Sequence, residues 1–340
     1  MNRSEINFLK QNRYHLFPKT LQIEITRRCP FNCSQCYKTK LENTDMDFDY
    51  ALGLMDTIEQ KGVSLFVLNG GEPLLYPKIV PLLQRINKME TAVNIFSSGY
   101  GLTKEIVDLV KTSKNIYFYI SLNGSSKEIN GLSRQGYETA MKAVALLKAE
   151  NAPFGINWVA RHDNATDFVN MVSLCRNSHA VYLSVIGNKL TGRNEMESPL
   201  IKSDLERIAA VINNNKDANK ESEPKLLIES CFSMLSTYIN APKSGYGAHC
   251  NAGISNCNIN CDLSFQPCTH LKVVEQFASI MDYWHSSSVL KTLRDNPANN
   301  LEPCRQCRHR GICSLCRAVS IETCVDFAAG ARVCINFWGK

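Results

Sequence analysis

The chain has 340 residues, 44% of them hydrophobic, and a formal net charge of +6. This length can bury a large core and predicts one large domain with a smaller one beside it. No apolar stretch approaches the ~20 residues that span a bilayer, and the basic residues are dispersed without a nucleic-acid-binding motif. We therefore expect neither a membrane nor a nucleic-acid partner. Residues 1–10 lack the apolar region of a signal peptide, so we expect a cytoplasmic protein.

Short β-rich runs alternate with helical patterns over the first half of the chain. The strand patterns lie at 21–26, 64–68, 92–96, 116–121, 154–160 and 181–186, and the helical patterns at 47–61, 77–89, 103–112, 136–150 and 166–176. This alternation predicts an α/β fold with a parallel sheet and right-handed crossovers. Six units are too few for a closed eight-stranded barrel. We therefore expect an open (β/α)6 partial TIM barrel, with its chemistry at the carboxyl ends of the strands.

The composition changes along the chain and predicts four regions. They are an N-terminal extension (1–20), the α/β core (21–190), a polar bridging region (191–245) and a cysteine-rich domain (246–340). The bridging region contains a helical pattern at 203–212, with Ser203 as the expected N-cap. Ten of the fifteen cysteines lie in the last 91 residues. In a long chain without an export signal, that density indicates metal binding rather than disulfides.

Three cysteines stand on one short loop directly after the first predicted strand. Cys29, Cys33 and Cys36 have three and then two residues between them, and Tyr37 follows at once. Three thiolates can hold three irons of a [4Fe–4S] cluster and leave the fourth iron open to another molecule, which indicates catalysis. A zinc site or a redox pair is the alternative, but this spacing with an aromatic residue after it favours the iron–sulfur interpretation.

This loop resembles the cluster motif of the radical S-adenosylmethionine (SAM) superfamily. In that family the open iron binds the amino and carboxylate groups of SAM, whose reductive cleavage releases a 5′-deoxyadenosyl radical. The resemblance implies SAM contacts at the carboxyl ends of the strands. Its matching positions are Gly70, Gly71 and Glu72 for the methionine amine, Ser98 and Ser121 for the ribose, Arg134 for the carboxylate, and Tyr37 near the adenine. Asn123 replaces the acidic residue that the family usually has after the fourth strand, and it keeps the capacity to hydrogen-bond the ribose. An ordinary turn at 70–73, a solvated Arg134 and a core Tyr37 are the alternatives.

The last cysteines form a second pattern. Taken alone, the spacing from Cys304 to Cys316 fits a zinc ribbon. Behind a radical SAM core it resembles the SPASM extension, which binds two auxiliary [4Fe–4S] clusters. The resemblance implies a nearer cluster on Cys250, Cys257, Cys268 and Cys316, and a farther one on Cys304, Cys307, Cys313 and Cys334. Cys261 could replace Cys257. Leu263 stands where the family usually has glycine, and the last spacing of the cysteine run is one residue short.

The resemblance also implies the kind of reaction. Members with this extension mostly modify peptides, so we expect an oxidative change, such as a thioether or carbon–carbon crosslink, in a ribosomally made precursor peptide. A flavodoxin- or ferredoxin-type reductant is expected, and leader recognition would need a separate protein or a groove on this chain. The alternatives are a peptide epimerase, a sulfatase-maturing enzyme, a small-molecule dehydrogenase and a noncatalytic iron–sulfur carrier. Cys175, Cys231 and Cys324 remain unassigned. Buried structural thiols are the commoner explanation for each, and Cys231 is the preferred hydrogen donor of an epimerase.

Overall fold

The computed structural model describes residues 3–39, 41–189, 191–194, 198–215, 223–240, 250–297, 300, 304–309, 313 and 316–320. Cys324 and Cys334 lie outside the described residues. The strands are β1 (Thr20–Thr26), β2 (Leu65–Gly70), β3 (Ala92–Ser97), β4 (Ile116–Ser121), β5 (Gly155–Ala160), β6 (Tyr182–Gly187), β7 (Lys225–Ile228), β8 (Asn256–Ile259) and β9 (Phe265–Gln266). The first six confirm the six predicted strands to within one or two residues.

Helices follow the strands as predicted. They are α1 (Arg3–Asn12), α2 (Phe48–Gln60), α3 (Ile79–Ile86), α4 (Lys104–Thr112), α5 (Lys127–Gly131), α6 (Tyr137–Ala149), α7 (Phe168–Ser178), α8 (Lys202–Asn214), α9 (Ile280–Ser286), α10 (Ser288–Asp295) and α11 (Arg317–Ser320). The expected cap at Ser203 is wrong. Helix α8 begins after Ile201, whose backbone N–H donates to the Asp204 carboxylate at 2.9 Å.

The strands form one sheet in the order β7-β6-β5-β4-β3-β2-β1-β8-β9. All neighbours are parallel except β8 and β9, which are antiparallel. Six parallel strand–helix units confirm the open (β/α)6 partial barrel. The sheet also continues beyond the predicted core at both edges, because β7 belongs to the bridging region and β8 and β9 to the cysteine-rich region.

The two faces of the sheet have different roles. Successive side chains of a strand point to opposite faces. In β1, Leu21, Ile23 and Ile25 are fully buried in the hydrophobic core, whereas Thr20 and Gln22 line a cavity. The core therefore lies on one face, and the other face is open to a ligand. No helix in the described part of the chain is long and apolar enough to cross a membrane.

Candidate active site

A cavity of about 530 Å³ lies at the carboxyl ends of the strands. Its wall includes polar side chains from four neighbouring strands: Asn69, Ser97, Ser121 and Asn157. Two groups of thiols also line it. The first, the loop thiols, is Cys29, Cys33 and Cys36; the second, the inner thiols, is Cys231, Cys250, Cys268 and Cys316. One cavity therefore joins the loop after β1 to cysteines more than 190 residues later.

The loop that carries Cys29, Cys33 and Cys36 is held against the segment after α5. The backbone N–H of Gln35 donates to the Ser133 carbonyl at 3.3 Å, and the backbone N–H of Gln135 donates to Cys33 Sγ at 3.3 Å. Burial raises the pKa of Cys29 to about 11, against a hydrogen bond from the Phe31 N–H and with added repulsion from Glu72, Cys33 and Cys36. The charges of Glu72, Cys33 and Cys36 therefore act on the Cys29 thiol.

The two glycines after β2 contact the chain itself. A Cβ on Gly70 would lie 2.5 Å from the Thr26 carbonyl oxygen, and a Cβ on Gly71 would lie 2.4 Å from the Arg28 carbonyl oxygen. The Gly71 and Glu72 N–H groups donate to those same two carbonyls at 2.8 and 2.7 Å. Both glycines line the cavity, but their first structural requirement is close approach to the backbone that leads into Cys29.

Glu72 is a buried carboxylate at the centre of this end of the sheet. It accepts hydrogen bonds from Ser97 Oγ at 2.7 Å, from the Ser98 N–H at 2.7 Å and from the Leu74 N–H at 3.2 Å. The Ser98 hydroxyl also donates to it. Burial raises the Glu72 pKa, and the hydrogen bonds from Ser98, Ser97 and Leu74 oppose that rise. Ser98 therefore orients Glu72 as well as lining the cavity.

Arg134 and Tyr37 also line the cavity. The Gln35 side-chain amide is oriented so that its oxygen faces donors. Its Oε1 then accepts from Arg134 Nη2 at 2.9 Å and from Arg134 Nε at 3.1 Å. Within the described part of the chain, no carboxylate pairs with this guanidinium. The Tyr37 ring packs beside the His270 ring, with 5.0 Å between their centroids, and the Lys38 ammonium lies 5.1 Å from the Tyr37 centroid.

Asn123 does not reach the cavity. It is fully buried; its side-chain amide donates to Ser133 Oγ at 2.8 Å and also to Gln35, and its backbone carbonyl accepts from Trp158 Nε1 at 3.2 Å. The expected contact of Asn123 with a ribose is therefore not supported. The side chain instead connects the end of β4 to the cysteine loop, because its amide points into the wall.

The inner thiols line the cavity together with Lys189. Burial raises the pKa of Cys316, with Cys231, Cys250 and Cys268 adding to the rise and Lys189 opposing it. Burial likewise raises the pKa of Cys268 to about 11, with Cys250 and Cys231 adding, and raises that of Cys231, with Cys250 adding. Lys189 is buried and hydrogen-bonds to Cys231. A buried cation beside Cys231, Cys268 and Cys316 lowers the cost of ionising these three thiols.

Two cysteines that the spacing placed with this group lie elsewhere. Cys257 is fully buried in β8 opposite Leu21, on the core face, whereas its neighbour Asn256 lines the cavity. The charged groups around Cys261 are Glu24, Arg27, Asp262 and Lys38, at the outer turn between β8 and β9. The structure therefore does not bring Cys257 or Cys261 to Cys250, Cys268 and Cys316.

Cys304, Cys307 and Cys313 precede Cys316 in the described part of the chain, and a turn joins the first two of them. The Cys307 N–H donates to the Cys304 carbonyl at 3.1 Å, and the Cys313 N–H donates to the His309 carbonyl at 2.9 Å. The same backbone N–H···S hydrogen bond occurs among the loop thiols, among the inner thiols and at Cys307. The residue two positions later donates its N–H to the sulfur at Cys29, at Cys268 (3.3 Å) and at Cys307 (3.4 Å).

The residues of the cavity fit an iron–sulfur cluster and a polar ligand. Backbone N–H···S bonds are among the contacts that set the potential of cluster thiolates. In the described part of the chain, no three His, Cys, Asp or Glu side chains converge on a point that one metal ion could occupy. A four-iron cluster holds its thiolates farther apart than a single zinc ion does. The buried Asn69 Oδ1 and Asn157 Oδ1 atoms find no hydrogen-bond partner in the described protein, so they can accept from a bound amine or hydroxyl.

Several cavity residues escaped the motif-based predictions. Lys189 follows β6, and Asn69 and Asn157 stand in β2 and β5 on the cavity face. The signal for Asn69 and Lys189 was available, since polar residues at the carboxyl ends of the strands belong to the same rim, whereas Asn157 stands in the middle of β5. His270 also lines the cavity, two residues after Cys268, where Thr191 Oγ1 lies 3.3 Å from its Nδ1.

Comparison with known proteins identifies one domain of the chain. Residues 23–175 match the model of the Radical SAM superfamily. The chain is 23% identical to an AdoMet-dependent heme synthase of Methanosarcina barkeri (95% of this chain, 98% of the relative) and 24% identical to a PqqA peptide cyclase of Ruegeria pomeroyi (93% and 87%). Its fold is similar to that of Streptococcus suis SuiB bound to its precursor peptide SuiA, with a TM-score of 0.79, 19% identity and coverage of 97% and 78%.

The segment that matches the family model also supplies much of the cavity wall. The matched segment contains the loop thiols, Gly70–Glu72 and Arg134, which the fold brings to one end of the sheet. An iron–sulfur cluster and SAM are the cofactors of such a domain. The chain therefore carries a Radical SAM domain over residues 23–175, which makes it a radical SAM enzyme.

Proposed function

We propose that this enzyme installs an oxidative modification, such as a thioether or carbon–carbon crosslink, in a ribosomally made precursor peptide. The observation that carries the proposal is the single cavity between the loop thiols and the inner thiols. A substrate held there lies between a site of hydrogen abstraction and a site that can accept an electron. Relatives named for a peptide cyclase and for a bound precursor peptide support the choice of substrate class.

In this proposal Cys29, Cys33 and Cys36 hold the SAM-binding cluster. When bound, that cluster and SAM supply the 5′-deoxyadenosyl radical. Glu72 accepts a hydrogen bond from the methionine amine, Arg134 pairs with the carboxylate, and Ser98 and Ser121 face the ribose. Tyr37 lies near the adenine, and Gly70 and Gly71 keep the wall close to the ligand. Asn123 is reassigned from a ligand contact to a positioning residue for the loop.

Two auxiliary clusters complete the proposal. The inner thiols belong to the nearer one, and Cys304, Cys307, Cys313 and Cys334 to the farther one. The region boundaries proposed from the sequence (1–20, 21–190, 191–245 and 246–340) then separate the extension, the radical SAM core, the bridge and the auxiliary-cluster region. A flavodoxin- or ferredoxin-type reductant and a separate leader-recognition protein are the proposed partners. None of the cysteines in the described part of the chain forms a disulfide, which fits a reducing cytoplasm.

The test is co-expression with each small open reading frame beside the gene, in deuterated water, followed by intact-mass measurement of the peptides. A crosslink removes two hydrogens: one leaves as an atom, the other as a proton and an electron. Loss of two hydrogens from one peptide supports the proposal. The Cys29→Ala, Cys33→Ala, Cys36→Ala triple variant is the control and should leave every peptide unchanged. One incorporated deuterium without any other mass change would instead indicate epimerisation.

A second candidate follows from the heme synthase relative, which spans 95% of this chain and 98% of its own length. Lys189, Arg193 and Arg134 line the cavity, and cationic side chains suit the carboxylates of a tetrapyrrole as well as those of a peptide. The same preparation distinguishes the two. Release of 5′-deoxyadenosine that an iron porphyrin stimulates, with every peptide mass unchanged, would favour the tetrapyrrole.

A further inference from the structure

We propose that Cys231 is the fourth protein ligand of the nearer auxiliary cluster, together with Cys250, Cys268 and Cys316. Cys231 thereby replaces Cys257, to which the family spacing gives that place. The inference rests on the auxiliary cluster of the proposed function and assigns its ligands from the positions of the thiols in this chain.

The first argument is convergence. Cys231, Cys250, Cys268 and Cys316 come from three separate stretches of the chain, and all four line the same cavity beside Lys189. A closed four-iron cluster takes four thiolates. The four inner thiols supply that number without Cys257 or Cys261.

The second argument is the register of β8. Cys257 pairs with Leu21 and shares its face, so its sulfur lies in the hydrophobic core. A shift of one residue would bring Cys257 to the cavity, but it would also move every side chain of β8 to the other face. Ile259 would leave the core, and the polar side chains of Asn256 and Asn258 would enter it. Such a shift costs several buried contacts, so Cys257 stays where it is.

The third argument is the way in which Cys231 is positioned. It lies in the 3-10 helix Ser230–Thr237 that follows β7. Phe232, the next residue, is buried and packs so closely on the end of β6 that a Cβ on Gly187 would lie 2.4 Å from its ring. The Glu229 N–H donates to the Val185 carbonyl at 3.1 Å. These contacts fix the turn that presents Cys231 to the cavity.

This assignment has a chemical consequence. A thiol loses its proton to solvent when it becomes a cluster ligand, and the bound thiolate has no S–H bond to give away. Cys231 therefore cannot be the hydrogen donor of an epimerase while it holds the cluster. The Lys189 hydrogen bond to Cys231 then becomes a charge-assisted contact to a cluster ligand.

The test compares single variants after anaerobic reconstitution, with iron and acid-labile sulfide counted per chain. The wild type should hold about twelve irons, and Cys231→Ala should lose between about one and about four of them, with a changed electron paramagnetic resonance spectrum. Cys257→Ala and Cys261→Ala are the matched controls and should keep the wild-type iron count and spectrum. Full iron in Cys231→Ala, or loss of iron in Cys257→Ala, overturns the assignment. A wild type with only about four irons would instead refute the auxiliary clusters themselves.

A second measurement needs no variant. The reconstituted wild-type protein is treated with iodoacetamide under anaerobic conditions, before and after a chelator removes the iron, and the labelled cysteines are identified by mass spectrometry. Cys231 should resist alkylation while the clusters are present and react after their removal, in parallel with Cys250 and Cys268. Alkylation of Cys231 in the fully loaded protein contradicts its role as a ligand.

Discussion

Glu72 shows how a single residue can serve the fold and, in the proposed function, the ligand as well. Its carboxylate accepts hydrogen bonds from Ser97, Ser98 and Leu74, which offset the cost of its burial. These donors also fix the direction in which the remaining lone pairs face the cavity. A turn motif read from the sequence identified the residue, and the serines after β3 hold it in place.

At this scale we predict that Glu72→Gln weakens SAM binding about tenfold to a hundredfold, because a charge-assisted hydrogen bond is worth about 1.5–3 kcal/mol. Equilibrium dialysis of labelled SAM with the cluster-loaded protein measures the change. The control is Glu138→Gln, an exposed residue paired with Lys127 at 2.5 Å, which should bind SAM as the wild type does. Equal affinity in Glu72→Gln would contradict the assigned contact.

The pH dependence of the same residue has a defined sign. The folded state raises the Glu72 pKa from its ordinary value of 4.5, mainly through burial. The stabilising effect of the protonated form is therefore complete below 4.5 and disappears as the pH rises through the raised pKa. SAM binding has the opposite trend, because the ammonium group favours the ionised carboxylate. Glu72→Gln should reduce the pH dependence of the free energy of unfolding and the pH dependence of SAM binding.

At the scale of elements, β2 and the cysteine loop are coupled through the backbone at Gly71. We predict that Gly71→Ala lowers the iron content of the loop and the melting temperature, because its Cβ would lie 2.4 and 2.7 Å from the Arg28 and Arg27 carbonyl oxygens. Gly53→Ala in α2 is the matched control, since nothing lies within 4 Å of its Cβ. It should stabilise the protein by about 0.5–1 kcal/mol, as alanine does in a helix. Iron analysis measures the iron content of both variants, and thermal unfolding measures their melting temperatures.

The turn between β8 and β9 explains one departure from the family pattern. Leu263 stands where the family usually has glycine, and its φ of 65° lies in the left-handed region that favours glycine. The backbone thus keeps the expected shape although the residue type differs. The Leu263 side chain packs against the core, which offsets part of the conformational cost.

At the scale of the whole molecule, the segment that precedes β1 is joined to the helices α9 and α10. The Arg294 guanidinium stacks 3.6 Å from the Tyr14 ring centroid and 4.6 Å from the Trp284 ring centroid, and its Nε donates to the Gly253 carbonyl at 2.7 Å. Burial lowers the Arg294 pKa to about 10. The segment between α1 and β1 is therefore packed against α9 and α10.

We predict that Arg294→Met lowers the free energy of unfolding by about 1–3 kcal/mol, because it removes two cation–π contacts and leaves the Gly253 carbonyl without its donor. Lys291→Met on the same helix is the control. Lys291 is exposed and pairs with Asp295, so its replacement should change stability by less than about 0.5 kcal/mol. Denaturant titration of both variants measures the difference, and equal stabilities would show that the junction contributes little.

The sequence by itself determined the local features: the six strand–helix units, whose periodicity reflects which face each residue buries, and the loop of Cys29, Cys33 and Cys36, whose three thiols lie within eight residues. Through the resemblance to the radical SAM motifs it also singled out Glu72 and Arg134. Both stand at fixed places relative to the strands. Only the tertiary structure decided that Asn123 points into the wall and that β8 extends the sheet. It also decided that Cys231, not Cys257, lies beside Cys250, Cys268 and Cys316. Spacing cannot settle which distant thiols meet, because strand register and the packing of Phe232 on Gly187 set their directions.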